Sequence, residues 1–239
     1  MKKILSVVLT LALALSLAAC GDSDKKSEGV MTYAEYNAAA LESQVTVETY
    51  VQANQSWWDN KITLYTQDKE GGYFIYNMAC SEADSKKLTP GTKIRVTGTK
   101  SEWSGEVEII DVTKFDILSG NYVAPATDVT SKLGTDELVN FQNRFVSFKG
   151  LTVAARPDGN AFQYKYDGSG SHDENSDLYF DVTYNGQTYT FTVESYLCGN
   201  DTDVYKAVEG LKVGDTVDLE GFLYWYEGAN PHITKVVVK

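Results

Sequence analysis

The sequence predicts an all-β protein, mainly antiparallel, built as two tandem copies of one small domain with short helices between strands. Three observations carry that prediction. The stretch Leu88-Thr-Pro-Gly91-Thr-Lys-Ile94-Arg-Val96-Thr-Gly98 recurs as Leu211-Lys-Val-Gly214-Asp-Thr-Val217-Asp-Leu219-Glu-Gly221, and the pairs Trp103/Tyr226 and Gly105/Gly228 keep the same offset. A repeat of this kind sets the architecture before any single element is assigned. Apolar residues alternate with polar ones, as in Val45-Thr-Val47 and Gln187-Thr-Tyr189-Thr-Phe191-Thr-Val193, which is the period of a half-buried strand. Turn residues such as Gly71-Gly72 and Asn185-Gly186 separate those runs.

The N-terminus reads as a targeting signal. Met1-Lys2-Lys3 is a positive start, and the apolar run from Ile4 to Leu17 is shorter than the roughly 20 residues needed to span a bilayer. It ends in Leu17-Ala18-Ala19-Cys20-Gly21, which resembles the bacterial lipobox. That resemblance implies a signal peptide over 1–19, removed to leave an acylated Cys20, palmitate among its chains, as the first residue. Each buried acyl methylene contributes roughly 0.8 kcal/mol, so several chains anchor durably. The expected location is the outer face of the cytoplasmic membrane, tethered through Cys20. Residues 20–31 are read as lipidated cysteine plus a disordered polar spacer.

The first domain is expected over 32–118. Thr32-Tyr-Ala-Glu35 is a capping-box pattern opening a short helix to Leu41. Strands follow at 45–51, 62–66 and 73–77, the last two joined through Asp68 to Gly72. A helical connection over 81–88 leads into the repeat motif as strand four. A tight loop at Glu102-Trp103-Ser104-Gly105 precedes strand five, at 107–112. Residues 119–138 read as a packed linker ending in a short helix near 135–140. The second domain, 139–239, repeats the order, with strands at 145–153, 178–184 and 187–193, a helix at 204–211, and the motif closing the chain.

Strand, strand, strand, helix, strand, strand, with a glycine-rich approach to strand four, resembles the OB-fold, a five-stranded Greek-key barrel. The hairpin Tyr65-Thr-Gln-Asp68…Gly71-Gly-Tyr73-Phe-Ile-Tyr76 and the run Gly91 to Gly98 are similar to the OB domains of secreted bacterial nucleases. The resemblance implies a ligand across strands two and three, held by the loop between strands one and two and the loop between four and five.

All four tryptophans fall in or beside those loops: Trp57 and Trp58 in the first, Trp103 in the second, and Trp225, flanked by Tyr224 and Tyr226, in the second copy. Tyr164 and Tyr166 flank the remaining loop. An exposed indole carries a hydrophobic penalty unless something stacks on it, and a flat π-face suits bases and sugar rings. The competing reading is barrel-end core. On extended backbone, adjacent Trp57 and Trp58 point to opposite sides, which excludes core for both. Alternation also allows only one of Tyr73 and Tyr76 to face outward, without deciding which; Tyr73 is counted among the ligand-facing candidates.

Charge weighs on the ligand. The net charge is -12, and removal of Lys2 and Lys3 takes it to about -14. Non-specific phosphate binding uses clustered Lys and Arg; here Lys93 and Arg95 are the close basic pair on strand four and the basic contacts if the ligand is nucleic acid. Cys80 and Cys198 occupy similar places in the two copies, either as small buried hydrophobes or as a disulfide. The acidic loop 167–177 lacks the EF-hand spacing, and His172 and His232 are isolated, so no metal site is expected. Glu106 and Glu108 share a strand face and are read as edge-strand solubility. With no nucleophile beside a base and no phosphate loop, neither catalytic residues nor a cofactor is expected.

Three functions fit. The first is a tethered, non-catalytic binding module for an oligosaccharide, an envelope fragment or a partner protein. The second is a single-stranded nucleic-acid binder, and the third a structural subunit of an envelope assembly.

Overall fold

The computed structural model describes residues 26–239; the signal peptide, Cys20 and the start of the tether lie outside the described residues. The end of the expected spacer is docked, not free. Met31 pairs in parallel with Val47, and the Lys26 ammonium donates to the Glu48 carbonyl at 2.8 Å and to Asp68 Oδ2 at 2.7 Å.

The first barrel begins with α1 (Tyr33–Ala38), whose capping box is formed by Thr32 and Glu35 as the sequence predicts, although the helix stops three residues short of Leu41. Its C-terminal carbonyls are closed by Lys100, whose Nζ donates to Tyr36, Asn37 and Ala39 at 3.0, 2.9 and 2.8 Å. Five strands follow: β1 (Gln44–Asn54), β2 (Lys61–Gln67), β3 (Gly72–Ala79), β4 (Thr92–Trp103) and β5 (Glu106–Asn121), with α2 (Glu82–Ser85) between β3 and β4. They close in the order β1-β2-β3-β5-β4, antiparallel except for β3 with β5. Val45, Val47, Ile62, Leu64, Ile75, Ile94, Val96 and Ile109 fill the interior.

The connection contributes β6 (Thr127–Asp128) and two 3-10 turns, 130–132 and 136–141. The second barrel consists of β7 (Phe145–Ala154), β9 (Leu178–Tyr184), β10 (Gln187–Val193), β11 (Thr216–Phe222) and β12 (His232–Val238), with α3 (Asp203–Glu209) after β10. β8 (Phe162–Tyr164) adds to the outside of β9, and β6 pairs with β7. β10 runs parallel to β12, and β7 pairs with both β11 and β9 to close the barrel. Both copies therefore have the strand order and the single parallel pairing of an OB-fold.

The repeat motif does the same structural work twice. Leu88 and Leu211 are buried. Gly98 and Gly221 sit at register shifts of strand four, where an added Cβ would lie 2.7 Å from the Ile110 carbonyl oxygen and 2.2 Å from that of His232. A β-bulge with close backbone approach is what glycine permits here.

Several expectations are corrected. β5 runs to Asn121 rather than Val112, because it pairs with β4 across the register shift at Thr97/Thr99; the positive φ of Asp111 marks the bend that interrupts its sequence pattern. Glu106 and Glu108 are buried, not edge charges, since β5 is held by β3 on one side and β4 on the other. Of the two readings of Cys80 and Cys198, the structure has the small buried hydrophobes: both are free thiols, in separate cores.

Candidate functional site

The outward positions of β2 and β3 are where an OB barrel takes its ligand. In the first barrel they are occupied by the second barrel. Tyr65 on β2 and Phe74 on β3 pack edge-on at 5.1 Å. Phe222 covers Tyr65 at 4.7 Å, and Tyr224 covers Phe74 at 5.3 Å. The Tyr65 hydroxyl and His232 Nδ1 share a hydrogen bond at 2.7 Å. Burial drives the His232 pKa down to about 3, so the imidazole is neutral. Polar seams surround this contact. The Phe145 amide donates to Gln67 Oε1, the Ser56 amide to the Tyr196 carbonyl, and Gln55 Nε2 to Glu194 Oε2. Arg144 reaches the Glu70 carbonyl.

At one end of this contact the two equivalent hairpin tips meet. Ser104 and Gly105 turn β4 into β5, and Glu227 and Gly228 make the corresponding turn before β12, all four at positive φ. The Glu227 amide donates to the Ser104 carbonyl at 2.7 Å. Beside that bond the equivalent aromatics Trp103 and Tyr226 pack at 5.2 Å, and they remain 53% and 46% exposed.

In the second barrel the strand-two and strand-three face is covered by its own chain and not by the first barrel: Asp181 and Thr192 on it are buried. Leu178, Phe180 and Val182 point into the core, which leaves Tyr179 and Asp181 outward. Arg156 is buried against that face; its Nη1 donates to Asp181 Oδ1 at 2.7 Å and its Nε to Gln163 Oε1 at 3.0 Å. Tyr166, 70% exposed, lies over the Arg156 guanidinium at 5.5 Å and edge-on to Tyr179 at 5.6 Å. Burial, then the Asp177 and Glu194 carboxylates, push the Tyr179 phenol up to about 12, with Tyr226 near enough to contribute. Two aromatic pairs are thus presented, Tyr166 with Tyr179 and Trp103 with Tyr226.

The predicted site residues divide accordingly. Trp103 and Tyr226 are brought together. Trp58 is 79% exposed, while Trp57 packs on the first core with its indole N–H donating to the Cys80 carbonyl at 2.8 Å; the opposite orientations match expectation. Tyr73 is not ligand-facing: it is fully buried and its hydroxyl donates to Asp68 Oδ2 at 3.0 Å, whereas Tyr76 is outward. Tyr224 is consumed by the inter-barrel contact, stacked on His232 at 4.3 Å. Trp225 packs against the second core, and its amide donates to Glu106 Oε2 at 2.8 Å. Lys93 and Arg95 are not free for phosphates. Both pair with the buried Glu48, at 3.0 and 2.7 Å. Among the described residues no group of His, Cys, Asp and Glu is placed to hold a metal ion.

Sequence reasoning missed Arg156, Tyr179 and the inter-barrel role of Glu106. The outward phase of Tyr179 was legible from alternation. Nothing local to Arg156 or Glu106 announces a partner far away in the chain.

No protein-family model matches the chain, and no curated protein does. Solved structures with a similar outline include the tetrameric p202 HIN2, with 12% identity, 83% of this chain and 95% of that chain covered and a TM-score of 0.34. A murine DNA-binding protein bound with double-stranded DNA has 12% identity, coverage of 82% and 98%, and a TM-score of 0.34. The single-stranded DNA binding protein from Thermus aquaticus has 13% identity, coverage of 82% and 92%, and a TM-score of 0.25. The OB-fold assignment rests on strand order and register; likenesses at these scores add nothing to it.

Proposed function

We propose that the chain is a membrane-tethered, non-catalytic binding module. Its ligand is a neutral, ring-bearing chain, an oligosaccharide, laid over Tyr166, Tyr179, Tyr226 and Trp103. The observation that carries this reading is the half-exposed Trp103–Tyr226 pair, contributed jointly by the two barrels. The nearby cation, Arg156, is already neutralised by Asp181, and Lys93 and Arg95 are both engaged by the single carboxylate of Glu48. Aromatic faces without unpaired cations favour sugar rings over polyphosphates. The tether is the lipid on Cys20, a reading supported by the sequence Leu17-Ala-Ala-Cys20.

Tryptophan fluorescence titrated with envelope oligosaccharides, and with single-stranded oligonucleotides at two salt concentrations, tests the ligand. The expected outcome is saturable, salt-insensitive glycan binding that Trp103→Ala weakens at least tenfold. Oligonucleotide binding that falls steeply with salt establishes the nucleic-acid alternative instead. A Trp103→Ala variant indistinguishable from wild type with every soluble ligand favours a purely structural subunit. Metabolic labelling with palmitate, lost in Cys20→Ser, tests the anchor.

A further inference from the structure

The two edges of β5 are not equally used. Along one edge it pairs with β4 from Glu106 to Asn121. Along the other, β3 meets it only at Glu108 and Ile109. Among the described residues, nothing pairs with that second edge beyond Ile109. The stretch left open is regular: its register with β4 is unbroken from Lys114 to Leu118, and the positive φ values of Asp111 and Gly120 lie outside it. An open edge presents a row of unpaired N–H and C=O groups, and sheets that must avoid pairing blunt it with proline, bulges or charged side chains. β5 contains no proline. The charged side chains of the open stretch are Lys114 and Asp116, of opposite sign, 68% and 37% exposed and 3.1 Å apart. An exposed pair of this kind contributes little to the fold by itself.

We propose that this edge is a self-association surface, on which two copies of the chain pair β5 with β5, antiparallel, about a two-fold axis at Phe115. The charges select both the occupant and the register. With the axis at Phe115, Lys114 lies opposite Asp116 of the second copy, and Asp116 opposite Lys114 of the second copy. Moving the axis one residue either way, to Lys114 or to Asp116, sets like charges against each other, and so does a parallel pairing in register. Opposite charges directly across a strand pair attract, and like charges there destabilise. A two-fold contact has to be self-complementary in this way, because each copy offers the same surface. The same register covers Ile117, 39% exposed, with Thr113 of the second copy. One pair of short strand segments buries less than a standard protein interface, so the association is weak and depends on concentration. It is independent of what the Trp103–Tyr226 face binds.

A charge swap tests this on the full chain, held in detergent so that its apolar N-terminus does not drive association. Lys114→Asp sets aspartate opposite aspartate twice in the pair, and Asp116→Lys sets lysine opposite lysine. Sedimentation velocity should show wild type in a concentration-dependent monomer–dimer equilibrium and each variant alone associating about tenfold more weakly. An equimolar mixture of the two variants should recover the wild-type dissociation constant, since every pair across the axis is then of opposite sign. Recovery on mixing also shows that both variants are folded. The second readout uses the unmodified chain: amide hydrogen exchange should slow with concentration within 112–118 and stay constant on β4. A wild-type chain that is monomeric up to about 1 mM overturns the proposal. So does a dimer that neither variant weakens, or one whose variants fail to recover on mixing while exchange within 112–118 is independent of concentration. Slowed exchange in that segment caused by an added extended peptide, with no dimer at any concentration, would assign the edge to a different chain and overturn self-association.

Discussion

At the scale of single residues, the decisive rearrangement of the sequence picture is what becomes of Lys93 and Arg95. Read along strand four they are the basic pair that a nucleic-acid ligand would need. In the fold, Arg95 lies directly across from Glu48 on β1, with Lys93 two residues along, and both cations are engaged by that one carboxylate. Burial raises the Glu48 carboxyl, but hydrogen bonds from Ser27, Arg95 and Lys93 outweigh it and bring the pKa down to about 2. Removing Arg95 leaves Glu48 with Lys93 alone and strips two charge-assisted hydrogen bonds, from Arg95 Nε and Nη2, off a buried carboxylate oxygen, which costs more than a surface pair is worth. Arg95→Ala should therefore destabilise the first barrel by about 2 kcal/mol, measured by urea unfolding, and leave ligand affinity unchanged. An Arg95→Ala protein of wild-type stability that has lost oligonucleotide binding would show the opposite role. The sequence could not reveal Glu48, because a Glu in an alternating strand reads as solvent-facing until something covers it. The cover here is the Lys26–Ser27 segment, whose polar composition pointed to a free spacer.

Among the elements, the two hairpin tips make an internal control. Ser104-Gly105 and Glu227-Gly228 are the same turn of the same repeat, with left-handed φ at every position. An added Cβ at Gly105 would lie 2.7 Å from Trp225 Cδ1, while one at Gly228 meets nothing within 4 Å. Both Gly→Ala changes carry a backbone penalty of roughly 1–2 kcal/mol. Only Gly105→Ala adds a collision with the inter-barrel contact, so it should disrupt the Trp103–Tyr226 pair and weaken ligand, with Gly228→Ala retaining both. Nuclear Overhauser contacts between the Trp103 and Tyr226 rings read this directly; equal loss in the two variants would mean that the contact does not depend on the Gly105 side. Element order was legible because strand period, capping box and turn residues are local signals. The Thr32/Glu35 cap and the Asn185-Gly186 turn appear where the sequence puts them. The far half of β5 was not legible, because its apolar positions lose phase at the Asp111 bend and it is held as strand by pairing along the length of β4.

For the molecule as a whole, alternation identified which side chains of β2 and β3 point outward but not what would lie against them. Tyr65 and Phe74 meet Phe222 and Tyr224 from a segment far along the chain, and no local pattern encodes a contact between two copies of one repeat. That contact is titratable from both sides. His232 is held neutral by burial, with its pKa lowered to about 3, so its contribution is present above the unfolded value of about 6.5 and is lost as pH falls below it. Glu194, which accepts Gln55 from the first barrel, is raised by burial to about 7, and Glu106 is raised in the same direction. Their contributions are present below about pH 4.5 and are lost as pH rises through the folded values. Acid therefore attacks the contact through His232, and base through the two carboxyl groups. Between about pH 4.5 and 6.5 the two carboxyl groups lose more than the single imidazole gains, so docking should be firmest near pH 4.5. Calorimetry should show one cooperative transition with its highest Tm at about pH 4.5 to 5. By pH 9 the Tm should fall and the transition broaden or split as the barrels uncouple, and a Glu106→Gln, Glu194→Gln double variant should keep the single transition at pH 9. A wild-type Tm that is level from pH 6 to pH 9 would mean that neither carboxyl group ionises within the contact, and the barrels would then be joined by their aromatic faces alone.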